Sequence, residues 1–159
     1  LFVLGIYLLS RKWKPILLQV SVFTIAHTIT LGLATLGVVS VPSNMVEPII
    51  AASIAVVAIE NIFFPGYRPH RLLVVFVFGL IHGLGFAGAL SAFNLDSSSL
   101  LLGLLGFNIG VELGQLAVIS MAAFSTLKFN EKDYRKWVVV PGSIVISIFG
   151  IYWTIERLF

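Results

Sequence analysis

The chain has 159 residues, 58% of them hydrophobic and 11% charged, with a mean hydropathy of +1.05. That balance excludes a water-soluble core and points to a polytopic membrane protein. The net charge of +3 and pI near 9.5 do not signal nucleic acid, because the ten Lys and Arg sit in short clusters between apolar runs; the lack of cysteine removes disulfides, thiolate metal sites and Cys nucleophiles together.

Residues 1–10 are apolar but too few to cross the hydrocarbon, and read as the tail of a helix. Five longer apolar runs follow, at 15–39, 47–64, 72–93, 100–127 and 138–155. The expected fold class is all-α: a polytopic transmembrane helix bundle in a single domain over residues 1–159, with five full spans plus the tail of a sixth at the N-terminus. The segments between the runs alternate in charge. Arg11, Lys12 and Lys14 are followed by none over 40–46, then Arg68 and Arg71, then only Asp96, then Lys128, Lys132, Arg135 and Lys136. By the positive-inside rule, segments 11–14, 65–71 and 128–137 are cytoplasmic, and the localisation is a bacterial cytoplasmic (inner) membrane. Tyr7, Trp13, Tyr67, Tyr134 and Trp137 then fall at the inner boundary, and Tyr152 and Trp153 at the outer one, as an aromatic belt requires.

Span ends carry local signals. Asn44 with Glu47 three residues on resembles a capping box, with Pro48 in the first turn. Asp96 with Ser97 to Ser99 reads as a turn and cap before the next helix. That helix, Leu100 to Leu127, is about 42 Å long against a hydrocarbon core of about 30 Å, so it must tilt, bend or protrude.

Ionisable side chains at membrane depth are costly and mark functional sites by default. His27, His82 and Glu112 lie near the middle of their spans, at similar depth, and Glu60 lies nearer the cytoplasmic end of its own. Glu112 stands in GFNIGVELGQ, where Asn108, Glu112 and Gln115 share one helical face. Everything else in the chain reads as scaffolding around that face, which places Glu112 at the centre of the bundle. Eight of the fourteen glycines fall between Gly79 and Gly114, which suggests that the third and fourth full spans pack closely, with His82 and Glu112 near their seam. For Glu60, an interfacial pair with Arg68 or Arg71 stands beside a functional role.

Two imidazoles, a carboxylate and amide oxygens suit Ni, Zn, Co or Fe in the divalent state and suit Cu(I) poorly. His27, His82 and Glu112 are the candidate metal ligands, with Asn108, Gln115 and Glu60 as supporting or relay groups. A proton relay between His82 and Glu112 is the second chemistry these types permit. A b-type haem on two histidines would leave Glu112 unexplained. No nucleophile elbow, phosphate-binding glycine loop with Lys or HExxH helix occurs, so no enzyme activity and no resident cofactor are expected.

Four ordered motifs, AHTITL at Ala26 to Leu31, VEPIIAASIAVVAIEN at Val46 to Asn61, FGLIHGLGFAGAL at Phe78 to Leu90 and GFNIGVELGQ at Gly106 to Gln115, resemble the HupE/UreJ family of bacterial membrane proteins. Members associated with hydrogenase and urease systems are nickel permeases, so the resemblance implies transition-metal transport here too. The chain resembles a divergent branch. The permeases' first-helix HxxxxxDH motif has no match from Leu1 onward. Of their FHGx(A or V)HGxE motif the chain keeps His82 and Gly83, with Phe86 in place of the second His and Ala89 in place of the Glu.

Two function classes follow. One is a permease for a divalent transition-metal cation, nickel among the candidates. The other is a non-transporting structural or accessory subunit of a larger membrane complex. The expected partners are the lipid bilayer and either other membrane proteins or further copies of the chain, and not nucleic acid.

Overall fold

A computed structural model describes the backbone of residues 1–91 and 97–159 and the side chains of 1–87 and 101–159. The expected turn at Asp96 and the side chains of Ala89 and of Ser97 to Ser99 lie outside the described residues. The elements are α1 (Phe2–Leu9), α2 (Trp13–Thr35), α3 (Ser43–Phe63), α4 (His70–Ser91), α5 (Ser97–Thr126), α6 (Glu131–Tyr134), a π-helical turn (Arg135–Val139) and α7 (Val140–Leu158). Among the described residues there is no strand. Among those residues five helices are long and apolar enough to cross a membrane. The fold is an all-helical, membrane-span-like bundle.

Several helix ends follow from the local sequence. At the end of α2, Gly37 takes φ +72°, its N–H donates to Ala34 O at 3.1 Å, and Val38 N–H donates to Leu33 O at 2.9 Å. This is the paired closure of a Schellman motif, which needs a residue free of Cβ strain at its left-handed position. Helix α3 stops because Phe64 precedes Pro65 and is held extended at φ −115°. Helix α6 starts at Asn130, whose Oδ1 accepts from Asp133 N–H at 2.9 Å. In the turn that follows, Val140 N–H reaches back five residues to Arg135 O. Pro141 has no N–H to offer the Trp137 carbonyl, and the helix accommodates that gap by widening.

The expected capping box at Asn44 is not formed. Helix α3 begins at Ser43, its N-cap is Pro42 with no side-chain cap bond, and Pro48 lies inside the helix. Glu47 instead reaches Arg157 at 3.4 Å and ties the start of α3 to the end of α7.

Two helix pairs make the frame. Helix α4 lies along α2, α7 lies along α3, and a narrower α3–α4 contact joins the pairs. Small residues set these distances, as they do where lipid offers no hydrophobic drive between helices. The backbone of Gly150 packs against Ala55, so close that an added Cβ would stand 2.6 Å from Ala55 N. Short as it is, α1 sits in the middle, with Phe2, Gly5, Ile6, Tyr7 and Leu8 buried against α2, α3, α5 and α7.

Three expectations are corrected here. Among the described residues the third and fourth full spans, α4 and α5, do not form the main seam: α4 packs on α2 and α3, while α5 reaches α1 and α2. Helix α5 is also not central, since 11% of its span is buried against 44% for α3, and Glu112 is only half-buried. Glycine content marks closeness without naming the neighbour, and Gly106, Gly110 and Gly114 of α5 face open space. Finally, Tyr7 and Tyr134 are not belt residues. Both are buried, their rings 6.5 Å apart edge to face, and Tyr7 Oη is hydrogen-bonded to Thr126 Oγ1 at 2.6 Å. Trp13, Trp137 and Tyr152 are exposed, as a belt requires.

Candidate functional site

The site is built on the α2–α4 seam. Gly79 and Gly83, one turn apart on α4, bring its backbone onto the stretch of α2 from Phe23 to Thr30. A Cβ at Gly79 would stand 2.8 Å from Phe23 O, and one at Gly83 would collide with Thr30 Oγ1 and His27 O. Thr30 Oγ1 donates across the seam to Leu80 O at 2.6 Å. Backbone contact this close fixes where His27 and His82 point.

His27 has no exposed surface, and neither ring nitrogen has a hydrogen-bond partner among the described residues. Its surroundings are aromatic. Phe23 is stacked at 6.0 Å, Phe86 meets it edge-on at 5.1 Å, and Phe107 of α5 lies at 6.2 Å. His82 meets the same Phe23 edge-on, with ring centroids 5.2 Å apart, and also meets Phe2 at 4.9 Å. The two imidazoles thus share one phenylalanine.

His82 is oriented where His27 is not. Its Nε2 lies 2.9 Å from Ser53 Oγ of α3. Ser53 has one hydroxyl proton and places it on Ile50 O at 2.6 Å, so the histidine is the donor and Nδ1 keeps the lone pair.

On α5, Asn108 Oδ1 accepts from Thr28 Oγ1 at 2.7 Å and its Nδ2 donates to Leu104 O at 2.8 Å. The start of α2 also lies by the end of α5, where Arg11 Nη2 donates to Thr126 O at 3.2 Å. The two helices are therefore antiparallel. One turn along α5 from Asn108 is Glu112, and one turn back along α2 from Thr28 is Thr24, so these two stand at one level. The Thr24 hydroxyl and Gln115 Oε1 are buried without partners, and Glu112 makes no hydrogen bond or ion pair among the described residues.

Glu60 belongs elsewhere. Its carboxylate takes Arg71 Nη1 at 3.0 Å and His70 Nε2 at 2.8 Å, at the basic end of the bundle. Arg71 has no exposed surface and also donates to Gln19 Oε1 at 3.0 Å and Gly5 O at 3.2 Å.

The structure therefore gathers His27 and His82 and brings Asn108 to the neighbouring turn of α2. It shows no group of three or more His, Cys, Asp or Glu able to hold a metal among the described residues. Reasoning from sequence misses Ser53, the four phenylalanines and the Gln19–Arg71 pair. Gln19 is the one signal for them, an amide inside an apolar run.

No curated protein and no solved structure matches the chain. The family model described as HupE / UreJ protein matches residues 1–157, nearly its whole length. The ordered motifs and the membrane-span-like bundle agree with that match, and the chain belongs to the HupE/UreJ family.

Proposed function

We propose that the chain is a permease for a divalent transition-metal cation, nickel among the candidates, in the bacterial cytoplasmic membrane with its basic segments inside. The observation that carries this reading is His27, a fully buried imidazole with both nitrogens unpartnered. Leaving such a group unsatisfied costs about 1–3 kcal/mol, and an ion accepting its lone pair removes that cost. Imidazole suits Ni, Zn, Cu and Fe. The Nδ1 of His82 offers a second donor, held by its bond to Ser53 as metal-binding histidines are commonly held through their other nitrogen. Glu112, with Asn108 and Gln115 on the same helix, supplies the carboxylate and amides as the ion passes, and motion of the loosely held α5 separates them for release. Glu60, already paired, serves as a relay group at the basic end.

The test is uptake of Ni, Co or Zn into proteoliposomes at matched protein levels. His27→Ala and His82→Ala should each lower uptake at least about tenfold, the scale expected when a metal-site group is lost. If the wild type moves none of the three, or the variants move it equally well, the permease reading fails.

One feature favours the accessory-subunit reading instead. Gly106, Gly110 and Gly114 lie on an open face of α5 beside the exposed Ile109 and Leu113. Spacing of this kind lets a helix of another chain approach closely. Wild-type protein that transports nothing while holding a stable membrane partner would select it.

A further inference from the structure

The basic end of the bundle contains a feature that the permease reading does not use. A cavity of about 480 Å³ opens there, and its lining includes Ser10, Arg11, Lys12, Tyr67, Glu131 and Arg135. Three of these are cationic and one is acidic. None of the three cations makes an ion pair among the described residues. The contrast with Arg71, buried and neutralised by Glu60, is plain.

Both guanidiniums are positioned without losing their charge. Arg11 donates to Phe129 O at 2.6 Å and Thr126 O at 3.2 Å and lies over the Tyr134 ring at 4.9 Å. Arg135 donates to Ile62 O at 2.9 Å and Asn61 O at 3.4 Å. Capping the carbonyls at the ends of α5 and α3 explains their orientation. It does not explain why both line one cavity together with Lys12, whose ammonium has no partner among the described residues. Each guanidinium retains donors beyond those it spends on carbonyls. Tyr134, which also lines the cavity, is 5% exposed and presents its ring face to the Arg11 guanidinium. Trp13 and Trp137, both exposed, stand at the same end, the level at which indoles meet headgroups.

We propose that this cavity binds a phosphate-bearing anion, either the headgroup of an anionic phospholipid or free inorganic phosphate. Arginine forks matched to phosphate oxygens and a lysine point charge are the chemistry that such an anion requires. Basic pockets between helices at a membrane surface are its usual setting.

The purified chain, in a neutral detergent, is titrated calorimetrically with dioctanoyl phosphatidylglycerol, dioctanoyl phosphatidylcholine and inorganic phosphate. Phosphatidylglycerol should bind saturably, at least tenfold tighter than phosphatidylcholine, and weaken at least tenfold in Arg11→Gln. Lys12→Gln should weaken it at least threefold. Lys12 is exposed and its side chain holds nothing together, so that variant keeps the test valid if Arg11→Gln fails to fold. Phosphatidylglycerol binding without phosphate binding assigns the lipid. Phosphate binding that Lys12→Gln weakens, and that displaces the lipid, assigns the free anion. Equal binding of the two lipids, no binding of any probe, or wild-type affinity in folded Lys12→Gln overturns the proposal.

Discussion

Arg71 Nη1 donates to Glu60 Oε2 across 3.0 Å while the arginine side chain has no contact with the surroundings of the bundle. Its other bonds, to Gln19 and Gly5, extend the pair to α2 and α1, so one guanidinium holds together α1, α2, α3 and the start of α4. Removing one partner leaves an uncompensated buried charge. Glu60→Gln should cost about 3–5 kcal/mol, read as a shift in the denaturant midpoint of the purified protein. The double variant Glu60→Leu with Arg71→Met should recover most of that loss.

Glycines on α4 and α5 should respond in opposite ways. At Gly79 a methyl group would stand 2.8 Å from Phe23 O and 2.9 Å from Ala26 Cβ, so α4 must move off α2. Gly79→Ala should destabilise by about 1–3 kcal/mol. A methyl at Gly110 meets nothing within 4 Å. Gly110→Ala should be neutral or stabilise the isolated chain by about 0.5–1 kcal/mol, through the conformational freedom that glycine loses in a helix. Thermal unfolding of the two variants side by side decides it.

Stability and transport should separate at His27. Its nitrogens have no hydrogen-bond partner among the described residues, so His27→Leu removes an unsatisfied polar group and should leave stability unchanged or raise it by up to about 1–3 kcal/mol. The same change should abolish metal uptake. A variant that is stable and still transports would remove His27 from the path.

Ser53 should act only through His82. Without the hydroxyl, Nε2 loses its acceptor and the ring loses its fixed tautomer. Ser53→Ala should weaken metal binding about 10–100-fold, as other losses of an orienting partner do, with the helical content of the protein unchanged. Calorimetric titration with Ni, Co and Zn reads the affinity, and circular dichroism reads the fold.

The bundle is legible in the sequence because apolar runs of spanning length, separated by short charged segments, are rarely anything but membrane helices. His27 and His82 are legible for a related reason, since an imidazole at that depth stands out from its neighbours. Their common neighbour is not. Phe23 is one of thirteen phenylalanines, and only the packing of α2 on α4 distinguishes it. Arg71 reads as a loop charge because it lies close to Arg68, yet a helix starting at His70 turns its side chain inward. Glu112 draws the strongest inference from sequence, and the structure moves it from the centre to the half-buried edge of the bundle. A costly residue reveals that something must compensate it, and says nothing of which helix does so.

The widened turn at Arg135–Val139 carries a consequence for phase. Each residue of an α-helix advances the side chains by about 100°, and a turn closed over five residues takes up one residue more than an α-turn without that advance. Faces before and after the turn therefore stay aligned in space while their separation in the sequence is longer by one residue, so that Arg135 reaches the carbonyls of α3 and Tyr134 stays in the core while Gly150 lies on Ala55. Deleting one residue within the turn should close it to a regular helix with these contacts kept, whereas a residue deleted from the regular part of α7 between Ser143 and Gly150 would turn the two ends against each other by about 100°.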